Sequence, residues 1–410
     1  MSEAIEALAE VAVIGGCGRI GLPLSILLAG HNRVSIIDRD ERRMASVRRG
    51  EIPFLEQGLS ERLRDVLASR HLVVQNEPTL KSACDTVVVA ISGGDETHEA
   101  SDANFLSGIE STISGMRSGQ LLIVRSTLRP GMTRSIERLA GSQGKQIDIA
   151  YCPERALEGE VANELESLPQ IIGGSIASRN RADLLFRPFV SQIIGVSAEE
   201  AELAKLICNA WRFVQFAFAN EQHRIANSLG VDYERVRAVA SESYPRALGM
   251  PAAGLSGGPC LPKDTRYLAD LAKGDPSVTR EAIAIHADMV DWCVSRIVES
   301  IQGLKVDVVG LVGISFKPDV DDDRRSPALE VKSGLELRGY RVVTSDPFVK
   351  GPTIVNLDVA ASESDLLVIA TSHSEYRSIG SKYRGKRVLR LFAADHGQFA
   401  NANDGQPGIA

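Results

Sequence analysis

A β-branched run from Val11 to Ile14 leads straight into the glycine cluster Gly15-Gly16-Cys17-Gly18-Arg19-Ile20-Gly21. Beyond it, Pro23 to Gly30 has helical character and Val34 to Asp38 is again strand-like. Strand, glycine turn, helix and strand in that order make a βαβ unit, whose crossover forces its two strands to run parallel. Further apolar runs bounded by turn residues start at Thr86, Gln120, Ile147 and Leu168, with helix-length stretches between them. The predicted fold class is α/β, with a doubly wound parallel sheet as the packing solution.

From Ser197 to about Ile301 the periodicity becomes helical. Its longest stretch runs from Ala201, after the Glu199 and Glu200 pair, to a stop signal at Gly230. Tyr244 to Asp264 breaks the helices with a run of glycines and prolines, and a loop of that composition marks function. After Gly303 the alternation returns, with strands from Val306, Tyr340, Asp365 and Arg387 and a helix from Pro327 to Arg338. The chain is therefore expected to divide into a nucleotide-binding domain at 1–196, a helical middle at 197–302 that carries the loop, a second, smaller domain at 303–400 and a flexible tail at 401–410. These are two Rossmann-like, doubly wound domains joined by a long central helix.

Composition narrows the partners. Lys and Arg total 46 against 53 for Asp and Glu, a formal charge of −7, so the basic surplus that a phosphate backbone requires is missing and nucleic acid is not expected. No apolar run approaches the ~20 residues that span a bilayer, and the acidic start MSEAIEALAE lacks the pattern of a signal peptide. A cytoplasmic protein without a membrane partner is expected. The six cysteines, Cys17, Cys84, Cys152, Cys208, Cys260 and Cys293, show no CxxC pair and no metal-ligand spacing. Five of them read as small buried hydrophobes.

Gly16, Gly18 and Gly21 form G-x-G-x-x-G between a strand and a helix. The first glycine serves a tight turn, the second lets the backbone approach a diphosphate, and the third lets helix and sheet pack closely. The helix N-terminus then faces the anion. Asp38 closes the next strand, where a carboxylate bonds the adenosine ribose hydroxyls and repels a ribose phosphate, so NAD is the expected cofactor. Arg39, Arg42 and Arg43 nevertheless stand close enough to meet a phosphate, which keeps NADP open. The bland alternative is a glycine turn with Asp38 as a helix cap.

Cys260 sits in GLSGGPCLPKDT among glycines that let a substrate approach the backbone, with Lys263 and Asp264 within one turn. Nearby positive charge raises the thiolate fraction. Taken with GGCGRIGLPL from Gly15, STLRPGMT from Ser126, CPERALEG from Cys152, KLICN from Lys205 and FKPDVDDDRRSP from Phe316, the GGPCLPKD motif makes the chain resemble the UDP-glucose/GDP-mannose dehydrogenase family, the nucleotide-sugar 6-dehydrogenases. The resemblance implies a four-electron oxidation of the sugar's primary alcohol at C6 to a carboxylate, with two NAD and one water.

By motif position Cys260 is the family's nucleophile, which captures the aldehyde so that a second oxidation gives a thioester. Asp264 matches the residue that positions or activates water. Lys205 and Asn209 share one helix face and are implied to stabilise the oxyanion. Glu154 and Glu158, also one turn apart in spacing, and Thr127 at the end of a strand are implied around sugar and water, with a carboxylate as base. Their bland readings are helix-start carboxylates and a strand-end hydroxyl. The cofactor is assigned to Gly16, Gly18, Gly21, Asp38, Arg43 and Ser126. The substrate is assigned to Arg246 from a neighbouring subunit, Gly257, and the phosphate-facing Lys317 and Arg324. A homodimer follows from the same resemblance.

Gly93 and Gly94 stand where the family commonly has threonine and proline. The run from Cys152 to Gly174 and TSHSEY around His373 resemble the branch acting on UDP-N-acetylhexosamines, whereas GGPCLPKD resembles the UDP-glucose branch. UDP-N-acetylmannosamine or UDP-N-acetylglucosamine is preferred, with UDP-glucose as the alternative. His373 itself reads as a structural histidine, with base chemistry at pH 7 as the other option. A two-electron dehydrogenase and a noncatalytic nucleotide-binding homologue are the competing classes.

Overall fold

The structure is a computed structural model that describes residues 8–75, 84–91, 98–273 and 276–392; for 98–101 it describes the backbone alone. The Gly93–Gly94 loop and the tail at 401–410 lie outside the described residues. The chain forms two compact units, 1–206 and 207–410.

The first unit opens with β1 (Glu10–Ile14), α1 (Gly21–Ala29), β2 (Arg33–Ile37), α2 (Glu41–Arg48), α3 (Leu59–Ala68), β3 (Leu72–Gln75) and β4 (Thr86–Val89). It continues through α4 (His98–Ser114), β5 (Leu121–Val124), α5 (Met132–Ser142), β6 (Asp148–Tyr151), α6 (Val161–Ser167), β7 (Gln170–Gly174), α7 (Ile176–Phe186) and β8 (Ile193–Val196). The sheet order is β3-β2-β1-β4-β5-β6-β7-β8, so the order reverses between β1 and β4 and opens a crevice at their carboxyl ends. Every described pairing is parallel except β6 with β7, where Tyr151 faces Gly173 in antiparallel register. That reversal departs from the all-parallel expectation. An apolar run such as IDIAY or QIIGG fits a strand of either direction, and the link through α6 turns the chain back.

α1 is buried at every position and apolar almost throughout, as expected of a helix enclosed by its own sheet and neighbours. Each Leu or Ile it withdraws from water contributes about 1.5–3 kcal/mol. Two edge strands, β3 and β8, were not among the sequence expectations. Edge strands need no long buried run, and Ile194 is partly exposed.

The central helix α8 (Ala198–Ser228) starts at a capping box: Glu200 accepts from the Ser197 N–H at 2.8 Å, and Ser197 Oγ accepts from the Glu200 N–H at 3.3 Å. It stops at Gly230, whose φ of +69° is left-handed, with Val231 N–H returning to Ala226 O at 3.0 Å. Gly173 of β7 has no room for a side chain, because Ala198 and Ala201 of α8 occupy that space. The first turns of α8 are thereby seated on the first sheet.

The second unit continues with α9 (Tyr233–Ser241), a single 3-10 turn at Pro245–Ala247, α10 (Leu261–Leu271), α11 (Val278–Ser300), β9 (Val308–Val312), α12 (Pro327–Glu336) and β10 (Arg341–Ser345). It closes with β11 (Ile354–Val355), α13 (Leu357–Glu363), β12 (Leu366–Ile369), α14 (Ile379–Lys382) and β13 (Arg387–Arg390). The all-parallel order β11-β10-β9-β12-β13 repeats that of β3-β2-β1-β4-β5. Even the turns match: Gly15 N–H bonds Ile37 O at 2.8 Å, and Gly313 N–H bonds Ser345 O at 2.9 Å. Among the described residues, no helix is long and apolar enough to cross a membrane.

Candidate active site

In the first unit the turn after β1 is made by Gly15, whose φ is +76°. The left-handed residue thus stands one place before the first glycine of the motif, and Gly16 beside it also has no room for a side chain, since a Cβ would meet Ile36 Cγ2 at 2.9 Å. Gly21 opens α1 with its Cα so close to Gly15 O that any Cβ would collide with it, whereas at Gly18 a Cβ would meet only Gly15 O, at 3.3 Å. The rim at Gly18 is open for a ligand. The N-terminus of α1 has no side-chain cap and no acidic residue in its first turn, so its N–H groups suit a diphosphate.

Asp38 accepts from Cys17 N–H at 2.9 Å on one oxygen and from Asp40 N–H at 3.1 Å on the other. A carboxylate has further lone pairs for ribose hydroxyls. The helix cap is Asp40, not Asp38, and Arg43 stands 3.4 Å from it. Ser126 donates to Ile91 O at 2.6 Å, which ties the loop after β5 to the one after β4. These residues fit NAD.

Glu154 and Glu158 lie in the loop between β6 and α6, so their spacing does not place them on a helix face, and neither is a helix-start carboxylate. Glu154 is already committed. One oxygen accepts from Arg155 and Ala156 N–H, each at 2.7 Å, and the other pairs with Arg125. The Arg125 side chain is fully buried; it also donates to Gln170 at 2.6 Å and lies over the Phe186 ring. Glu158 instead pairs with Arg19 of the glycine loop at 2.9 Å. Thr127 lies in the loop beyond β5, which ends at Val124 rather than at the threonine.

That loop is clamped by Glu202 of α8, which accepts from Gly131 N–H at 2.6 Å, Thr133 N–H at 2.7 Å and Thr133 Oγ at 2.6 Å. Burial pushes the Glu202 carboxyl above its usual range. One turn further on, Lys205 is 8% exposed and makes no ion pair or hydrogen bond with another described residue. Arg19, Arg125 and Glu202 were not singled out from the sequence. For Arg125 there was a signal: a charge in the otherwise apolar run QLLIVRST must find a partner if buried.

In the second unit Asn209 donates to Asp264 Oδ2 at 2.6 Å, and Asp264 is completely buried. Its other oxygen lies 3.7 Å from Lys263 Nζ and accepts no hydrogen bond from the described residues. Asp264 N–H bonds Cys260 O at 2.9 Å in the first turn of α10, so thiol and carboxylate are fixed one turn apart. Cys260 is exposed at the N-terminal cap of α10, whose dipole favours an anion there.

The other thiols differ. Cys17, Cys84, Cys152 and Cys293 are buried and Cys208 partly so. Burial pushes the Cys17 and Cys152 thiols up to about 12 and the Cys84 thiol up to about 11. None of those three is a thiolate near neutral pH.

Gly257 packs where a side chain would strike Pro327 and Arg325 O, and Gly258 N–H bonds Arg325 O at 3.1 Å. The glycines before Cys260 thus let the cysteine loop lie against the segment that carries Lys317 and Arg324. Arg324 Nε donates to Asp322 at 2.9 Å. Ser315 Oγ donates to Lys317 O at 2.8 Å. Arg246 is exposed, with its guanidinium 4.7 Å over the Tyr244 ring and Nε donating to Tyr244 OH at 2.9 Å.

His373 is buried, and its Nδ1 accepts from Asp319 N–H at 3.0 Å. Nε2 then carries the ring hydrogen and points at Asp346 Oδ2, 3.0 Å away. Burial pushes the Asp346 carboxyl up, but the His373 bond and the Val349 and Phe348 N–H groups outweigh it and hold the group below its usual range. With both ring nitrogens engaged, His373 braces the Lys317 loop structurally.

Three family models match successive stretches of the chain. The UDP-glucose/GDP-mannose dehydrogenase family's NAD binding domain matches residues 9–190, its central domain 199–286 and its UDP binding domain 310–396. UDP-N-acetyl-D-mannosamine dehydrogenase of Pyrococcus horikoshii is 31% identical over 405 residues, which cover 94% of this chain and 94% of that one. NDP-N-acetyl-D-galactosaminuronic acid dehydrogenase of Ralstonia nicotianae is 28% identical and covers 95% of this chain and 97% of its own. The solved structure of UDP-D-ManNAc dehydrogenase from Pyrococcus horikoshii superposes with a TM-score of 0.84 at 29% identity, covering 94% of this chain and 96% of that one.

Proposed function

The chain belongs to the UDP-glucose/GDP-mannose dehydrogenase family, and from that membership we propose that it oxidises C6 of a UDP-N-acetylhexosamine, UDP-N-acetylmannosamine first, to the uronate in two NAD-linked steps. The observation that carries the four-electron chemistry is the exposed Cys260 at the cap of α10, one turn from a buried Asp264 whose Oδ1 accepts no hydrogen bond from the described residues. NAD, when bound, supplies the hydride acceptor for both oxidations.

Cys260 Sγ adds to the C6 aldehyde carbon, and the carbonyl oxygen takes up a proton. After the second oxidation the sugar is held as a thioester. Water then adds to that carbon, the C–S bond breaks, the Cys260 thiol is restored and the carboxylate is released. Asp264 Oδ1 is the acceptor that orients this water, and Asn209, bonded to the other oxygen, keeps the carboxylate in place. Lys205 and the second N–H of Asn209 supply positive charge and a donor for the oxyanion. Glu158 serves as the base candidate, while Glu154, with both oxygens engaged, shapes the loop that carries it. Thr127 faces sugar and water in this account. Lys317, Arg324, Gly257 and a partner subunit's copy of Arg246 bind the nucleotide diphosphate.

A homodimer is part of the proposal. Ile207, Trp211, Phe218, Ile225 and Leu229 are exposed along one narrow face of α8 and its end, an apolar stripe suited to a second copy. Trp211→Glu with Phe218→Glu is expected to convert dimer to monomer in sedimentation equilibrium, and an unchanged mass would remove this face from the interface. Widely spaced thiols support a cytoplasmic setting. A nucleotide-activated uronate is a glycosyl donor, which supports a role in polysaccharide biosynthesis.

The test is NADH production with UDP-N-acetylmannosamine, UDP-N-acetylglucosamine, UDP-glucose and GDP-mannose. The highest kcat/KM is expected on an acetamido sugar. UDP-glucose turning over fastest would move the chain to that branch, which its Lys263–Asp264 ending resembles.

A further inference from the structure

We propose that Arg19 is a positioning residue shared between two anions, the Glu158 carboxylate and the diphosphate of the cofactor, so that filling the cofactor cradle releases Glu158. The proposal rests on NAD occupying the glycine cradle. Arg19 stands between Gly18 and α1, at the helix N-terminus that suits a diphosphate. Its side chain turns to the loop after β6, where Nη1 lies 2.9 Å from Glu158 Oε1 and the guanidinium lies 5.3 Å over the Phe54 ring. Both partners are only 17% exposed, which shelters the pair from the screening that makes surface pairs weak.

Glu158 cannot simply follow Arg19 elsewhere, because its loop is held on both sides. Leu157 N–H donates to Glu164 at 2.6 Å, and Ala162 N–H donates to the buried Glu56 at 3.2 Å. A guanidinium has five N–H donors in a planar fork and binds carboxylate and phosphate by the same geometry. With its backbone at the phosphate loop and its head on Glu158, Arg19 makes the two anions compete. Linkage is reciprocal, so what the diphosphate takes from Glu158 must appear as a cost in cofactor affinity.

The test is a double-mutant cycle on NAD binding, followed by calorimetry without sugar. Glu158→Gln removes the competing anion and is expected to tighten NAD by about 5-fold. In an Arg19→Gln background the same change is expected to move affinity less than about 2-fold. Arg19→Lys, which keeps the charge, should restore part of the difference and serves if Arg19→Gln does not fold. If Arg19 and Glu158 merely brace the loop, Glu158→Gln weakens NAD, and that result overturns the proposal. Equal tightening in both backgrounds overturns it as well, since simple repulsion would then suffice. Failure of the unaltered protein to bind NAD would instead sink the cofactor assignment, a separate outcome.

Discussion

Cys260→Ser is expected to lower turnover by about 1,000-fold or more, equivalent to about 4 kcal/mol of lost transition-state stabilisation, while sugar-nucleotide and NAD binding persist. A serine hydroxyl at this position stays protonated near pH 7, so it adds poorly to an aldehyde, and an oxygen ester is a less reactive acyl donor than a thioester. The surroundings are built for a thiolate: an exposed sulfur at a helix N-terminus with Lys263 in the first turn. Steady-state kinetics give the turnover and calorimetry gives the binding. Unchanged turnover would remove Cys260 from the mechanism, and lost binding would mean that the loop, not the chemistry, had been damaged.

The second large effect is on stability. Arg125→Leu leaves Glu154, whose side chain is 12% exposed, without the cation that compensates it. Breaking a buried pair from one side costs roughly 3–5 kcal/mol. Native-state hydrogen exchange of the β5 and β6 amides is the appropriate readout, because a chain of two units gives no single unfolding free energy. Adding Glu154→Gln is expected to recover most of the loss. The amide oxygen can still accept from Arg155 and Ala156 N–H, and the orphaned charge is gone. A loss below about 1 kcal/mol in the single variant would show that the pair is not what holds this loop.

What the sequence discloses follows from how local the cause is. The β1-α1-β2 unit was legible because hydrophobic period and glycine punctuation are local signals. The stop of α8 was legible at Gly230, whereas its start lies at Ala198, three residues before the Ala201 from which the helical stretch was read. The motif located the glycine turn, but not that Gly15, one place before it, is the left-handed residue, where a Cβ would also strike the Ala90 carbonyl after β4.

Glu154 and Glu158 show the opposite case. Their spacing suggests a shared helix face, but the backbone there is a loop, and each carboxylate answers to an arginine distant in sequence. No window of residues contains that information. The antiparallel β6–β7 pair was hidden for a similar reason, since an apolar run carries no direction. Cys260 is intermediate. Its importance came from the whole motif and from resemblance, and the structure adds the physical distinction: it is the exposed thiol at a helix cap, while Cys17, Cys84, Cys152 and Cys293 are buried.

Four-electron oxidation is read directly from the NADH formed per UDP-N-acetylmannosamine consumed by the purified chain with NAD in excess. Capture of the aldehyde by Cys260 and water-dependent release of a thioester require two NADH and one uronate per sugar. A ratio of one with an aldehyde product would reduce the enzyme to a two-electron dehydrogenase. Tight binding of both ligands with no NADH formed from any of the four nucleotide sugars would contradict catalysis altogether.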